Sequence, residues 1–173
     1  MGIAGAEDVA VPVSLQAELV AKVAAYDKNF AARAGDRARV LIVVKPGNAD
    51  SARFGTHMES ALRGIGTIAG LPHEETIVAF AGPAQLASTC KSSRASIVYL
   101  APGFADEVPA IRAALDGINV LSVAAVADEV PKGIVLGFDL VSGKPKILVQ
   151  LTQAKKQEVA FKAELLKLAR VYE

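Results

Sequence analysis

The residues able to do chemistry are few in this chain of 173 residues, and their spacing sorts them. His57 follows Phe54 by three residues and has no second ligand at a helical interval. His73 opens His-Glu-Glu-Thr, which lacks the i+4 histidine of a His-Glu-x-x-His zinc site. A solitary histidine beside carboxylates reads as a solvated surface group, so no metal is expected. The single cysteine, Cys90, has no disulfide partner and no second thiol for structural zinc; it reads as a small, half-buried hydrophobe near a helix end. Ser122 lies in an apolar run without a Gly-x-Ser-x-Gly context. Asp106 with Glu107, and Asp128 with Glu129, are adjacent pairs whose ordinary use is capping and solubility. No catalytic constellation and no cofactor emerge, and the chain is read as not an enzyme.

Phosphate chemistry has one foothold. Neither Gly-x-Gly-x-x-Gly nor a Walker A sequence is present, and Arg63-Gly64-Ile65-Gly66 ends a helix instead of opening one. The loop after the first predicted strand contains Lys45, Gly47, Asn48 and Ser51. In open α/β sheets ligands sit beyond the carboxyl ends of strands near helix N-termini, so these residues form a candidate ligand or anion loop. The same residues also read as an ordinary strand-to-helix turn.

Composition narrows the partners. Nineteen basic against eighteen acidic residues leave a formal charge of +1, so no net field draws nucleic acid or anionic lipid. Aromatic residues are 5% of the chain with no tryptophan, which removes the stacking platforms of a single-strand groove. No run approaches the roughly 18 apolar residues of a membrane span, so no direct membrane insertion is expected. Met1-GIAGAEDVAVPV lacks the basic and continuous apolar regions of a signal peptide, yet its small residues read like the start of a mature exported protein. Residues 1–13 are read as a flexible leader and 14–173 as one domain.

The elements that would position these residues alternate. Ser14 is a plausible N-cap for a helix reaching Ala34, with Leu19, Val23, Tyr26 and Phe30 on one face. Arg39-VLIVVK is too continuously apolar for a strand with one wet face and reads as a central, doubly covered one. Asp50 or Ser51 caps a second helix through Phe54, Met58, Ala61, Leu62 and Ile65. Glu75-TIVAFAG, Ala95-SIVYLAPG and Asn119-VLSVAA are further strands, separated by helices opening near Pro83 and Asp106. This order implies right-handed crossovers and a single α/β domain, a Rossmann-like three-layer sandwich with a mainly parallel sheet and helices on both faces. Gly133-IVLGFDLV and Lys146-ILVQL flank Ser142-Gly143-Lys144, which predicts a C-terminal antiparallel hairpin at one sheet edge before a long terminal helix. Val159 and Phe161 are candidates for a partner surface: two residues apart, they cannot both lie in one narrow helical stripe, so at least one is available to a partner, although a helix broadly buried on the sheet shows an equally wide apolar face.

Four blocks carry a resemblance. Leu15-QAELVAKVAAYDKNF, Arg39-VLIVVK, Ala95-SIVYLA with Ala110-IRAALDGINVLSVA, and the closing Gly133-IVLGFDLVSGKPKILVQL with Ala163-ELLKLARVY resemble successive motifs of the YfiR/HmsC family of bacterial periplasmic domains. The chain departs from the family in three places. It has no Trp-Pro step after the first helix, its one cysteine precludes the disulfides members can have, and Gln150 replaces the asparagine of the family's "iNl". The resemblance implies a periplasmic, non-catalytic regulator that binds a membrane-bound signalling protein, a diguanylate cyclase or a sensor kinase, and restrains it, with a homodimer as a further expected assembly. Read without it, the chain is a small-ligand or nucleotide-binding Rossmann-like domain, an enzyme included, or a structural or transport-accessory scaffold.

Overall fold

The computed structural model describes residues 9–173. The leader expected over 1–13 lies outside them for residues 1–8. Its remainder is not a loose leader: Val11 is fully buried, and helix α1 (Val13–Val23) starts directly after Pro12, so Ser14 lies inside the helix and is not its cap. The apolar face expected to run unbroken to Ala34 breaks at Asp27. After a 3-10 turn over Ala24–Tyr26 a separate short helix follows, α2 (Phe30–Ala34).

The break has an identifiable cause. The Asp27 carboxylate is buried and fully engaged, accepting from the backbone N–H groups of Asn29 (3.0 Å) and Ala160 (3.1 Å) and from the Arg33 guanidinium (2.7 Å). Tyr26 and Lys28 exchange backbone bonds with Lys162 and Ala160 at 2.9 and 2.8 Å. A continuous helix would have kept these groups for itself.

Strands β1 (Ala38–Val44), β2 (His73–Ala79), β3 (Ile97–Leu100), β4 (Leu121–Ala124), β5 (Leu136–Val141), β6 (Lys144–Gln150) and β7 (Arg170–Tyr172) form one sheet in the order β2-β1-β3-β4-β5-β6-β7. Pairing is parallel from β2 through β5. The hairpin β5–β6 is antiparallel, as its turn predicts: Val141 pairs with Lys144, and Ser142 and Gly143 both have positive φ, the two-residue geometry matching strand twist. It is not the sheet edge, because β7 pairs outside β6.

Helices α3 (Ala49–Arg63), α4 (Pro83–Ser92) and α5 (Val108–Leu115) fill the crossovers. Alternate residues of the central strands enter two separate cores. Val40, Ile42, Ile97 and Tyr99 meet α1, α2 and α3, while Leu41, Val43, Val98 and Leu100 meet α4 and α5. That two-sided burial is what the continuous apolar runs required.

The long terminal helix is replaced by two six-residue pieces, α6 (Leu151–Lys156) and α7 (Ala163–Leu168), joined by an extended stretch. Val159 and Phe161 are both buried, at 3% and 6% exposure, so the partner surface assigned to them is corrected. Residues two apart cannot share a helical face; the chain leaves the helix, with Glu158 at φ +59°, and buries both in the first core.

Candidate functional site

Lys45, Gly47, Asn48 and Ser51 sit together at the carboxyl end of β1, beside the point where the order reverses from β2–β1 to β1–β3. Asn48, rather than Asp50 or Ser51, caps α3: its Oδ1 accepts from the Ser51 N–H at 2.9 Å. The buried Ser51 Oγ accepts from the Lys45 N–H at 2.8 Å. Gly47 supplies the positive φ that the turn needs.

Across the crevice, a Cβ on Gly103 would come within 2.8 Å of Asn48 Nδ2, so the β3–α5 loop closes directly onto the cap. Lys45 Nζ meets Glu107 Oε1 at 2.6 Å. Glu107, read with Asp106 as an adjacent pair for capping and solubility, is thereby the counter-charge of the loop lysine. An anion bound here would have to displace the Asn48 cap and compete with Glu107 for Lys45. The four residues lie together in a crevice closed by the protein's own groups.

Gln150 is a buried cap. Its Oε1 accepts from the Thr152 N–H at 3.0 Å at the start of α6, and its Nε2 lies 3.5 Å from the Pro131 carbonyl. Ser122 Oγ accepts from the Val135 N–H (3.1 Å) and from Gln157 Nε2 (3.2 Å), which ties α6 to β4. Cys90 is buried more fully than expected, and burial pushes its thiol up to about 11. Among the described residues no three His, Cys, Asp or Glu side chains group as metal ligands would.

Three features escaped sequence reasoning. His73, read as a solvated surface group, is buried against Glu75, the two side chains 6% and 3% exposed. Alternation along β2 places both on one face, but that this face turns inward depends on the turn preceding the strand. A buried polar chain joins α1 to the sheet: the Tyr99 hydroxyl donates to Gln16 Oε1, and Gln16 Nε2 donates to the carbonyls of Val11 (3.1 Å) and Ala125 (3.2 Å). A groove of about 710 Å³ runs between α1 and the turn after α3, lined by Lys22, Tyr26, Ile65 and Ala69 among others.

No helix among the described residues is long and apolar enough to cross a membrane. The fold is shared with a conserved domain protein from Vibrio cholerae O1 biovar El Tor, at 13% identity and TM-score 0.64, covering 94% of this chain and 60% of that one. It is also shared with the ligand-free, open structure of a substrate-binding protein with adhesive properties from Clostridium difficile, at 12% identity and TM-score 0.63, covering 94% and 60%. The chain thus spans about 60% of the length of these structures. No curated protein matches it. The family model described as YfiR/HmsC-like matches residues 14–170, nearly the whole chain. The chain belongs to the YfiR/HmsC-like family.

Proposed function

We propose that this protein is a periplasmic, non-catalytic regulatory domain that binds a membrane signalling protein, a diguanylate cyclase or a sensor kinase, and restrains it. Family membership supports the regulatory class. The observation that carries partner binding is a set of apolar side chains left in the open on β5, on β7 and at the end of α7. Leu140 and Val141 on β5, Leu168 at the end of α7 and Val171 on β7 are between 38% and 67% exposed. Leu140 stands opposite Pro145 and Val171 opposite Val149, and Pro145 and Val149 share one face of β6, so Leu140 and Val171 lie on the same face of the sheet. Apolar side chains exposed on neighbouring elements of this kind offer a surface for a partner.

The test is affinity capture from a solubilised bacterial envelope with the full chain as bait. Recovery of a membrane protein with a cyclase or kinase output domain is expected, and Leu168→Asp with Leu140→Asp lowers that recovery at least tenfold without changing the thermal midpoint. Wild-type bait that retains no such protein from an extract shown to contain one overturns the reading.

A small-ligand reading has one observation in its favour. The groove along α1 falls within the size range of small-molecule sites, roughly 300–1,000 Å³. A saturable rise in thermal midpoint with a small amphiphile, abolished by Ala21→Trp in the groove floor, would support it.

A further inference from the structure

His73 and Glu75 are a pair of titratable groups outside the crevice and outside every role described above. They share one face of the edge strand β2, and their side chains are 6% and 3% exposed. Nδ1 of the ring meets Glu75 Oε2. Nε2 lies 2.7 Å from the carbonyl oxygen of Ile65. Both neighbours are acceptors, so both contacts need a proton, and an imidazole carries two N–H groups only when charged. The other arrangement that satisfies both is a neutral ring donating from Nε2 to Ile65 while a protonated Glu75 donates to Nδ1. Either way the pair holds one proton more than a neutral histidine beside a carboxylate. Without that proton a ring lone pair faces a carboxylate or a carbonyl in a partly buried site, and one contact is lost.

Few other charges face the pair. On β1, Ala38 and Val40 stand opposite His73 and Glu75, while Arg39 pairs with Glu74 at 3.4 Å on the other face. On α3, which packs over β2, Glu59 and Arg63 pair with each other at 3.2 Å. Residues 64–72 carry no charge, and α1 brings Glu18 and Lys22 to the far side of the groove.

The segment held by His73 connects onward. Ile68 and Leu71 exchange backbone bonds of 3.0 and 2.9 Å, and the Ala69 N–H donates to the Ala21 carbonyl of α1 at 3.0 Å. Ile65, Thr67 and Ala69 form one wall of the groove along α1. We propose that His73 and Glu75 are a pH-sensitive latch: one proton shared by the pair pins the Ile65–Leu71 turn, and with it the groove wall, to the edge of the sheet. The latch is closed while the pair holds that proton and opens when rising pH removes it.

Hydrogen exchange on the full chain tests this through the amides of Ile68, Ala69 and Leu71, with protection factors corrected for intrinsic exchange at about pH 5 and about pH 8. Wild-type protection at the three amides is expected to fall about tenfold or more at the higher pH, the scale of losing one charged hydrogen bond. Amides of β3 serve as the control for global stability. Glu75→Gln, whose amide can donate to the neutral ring, is expected to keep protection high at both pH values. His73→Ala is expected to lower it at both. The nitrogen shifts of the His73 ring, followed over the same range in the wild type, report the proton directly. Wild-type protection that does not change with pH, a pH dependence retained in Glu75→Gln, or full protection in His73→Ala each overturns the latch.

Discussion

Asp27 shows how much a single side chain can decide. Its carboxylate is fully buried, with the Arg33 side chain 3% exposed beside it, and it receives the Ala160 N–H from the far end of the chain. Removing one partner of such a pair leaves the other charge buried and unpaired, a loss of about 3–5 kcal/mol when both are enclosed. Asp27→Ala is therefore expected to lower unfolding free energy by roughly 3 kcal/mol or more, read from the urea midpoint. Tyr99→Phe removes the donor to Gln16 Oε1 in a dry setting and should cost about 1–3 kcal/mol. Cys90 gives a pH prediction. Its thiol is raised from 9.0 to about 11 by burial, so the folded state holds the proton more tightly than the unfolded one. That contribution to stability is complete below pH 9.0 and is lost as pH rises through about 11. At neutral pH the buried thiol should alkylate with iodoacetamide many-fold faster in urea than in the native protein, as mass spectrometry of the labelled peptide would show.

The helices and strands were legible to different degrees, and the differences have physical causes. Strands β1, β3 and β4 could be read directly because burial on both faces leaves an unbroken apolar run that few other environments produce. The helix after β1 was legible through Phe54, Met58 and Leu62. Its cap was assigned two or three residues late because Asp50, Ser51 and Asn48 are all competent, and only the position of Ser51 Oγ under Lys45 selects Asn48. The two unforeseen helix breaks, at Asp27 and at 157–161, are one event: a contact between segments about 130 residues apart overrides helical preference in both, and no local pattern announces it. The candidate loop was found by its place after a strand, yet its closure by Glu107 and Gly103 depends on the neighbouring crossover. Close approach of elements gives its own test. A Cβ on Gly55 of α3 would stand 2.5 Å from Val44 Cγ1 of β1, and valine has little rotameric freedom to yield. Gly55→Ala is expected to destabilise the protein by about 1–3 kcal/mol despite alanine's better helix propensity, measurable as a lower thermal midpoint.

The molecule as a whole is a sheet with two unlike cores, one under α4 and α5 alone and the other assembled from both ends of the chain. The smaller core draws only on residues Leu41 to Ile134, whereas the larger includes Val11, Val20 and Phe30 together with Val159, Phe161 and Leu165. Deleting residues 158–173 should therefore leave far-ultraviolet circular dichroism largely in place while abolishing the sharp thermal transition, because secondary structure survives the loss of tertiary packing. A truncated chain that still melts cooperatively near the full-length midpoint would show that the larger core closes without its last segment. The strap between Asp27 and Ala160 also sets a schedule. A ribosome emits Asp27 more than a hundred residues before the Ala160 amide that completes its shell, so the carboxylate, with its local partners Asn29 and Arg33 already at hand, keeps part of its hydration until that later segment arrives. Closure of this strap is therefore a late and collective event, reached only when segments about 130 residues apart are both present.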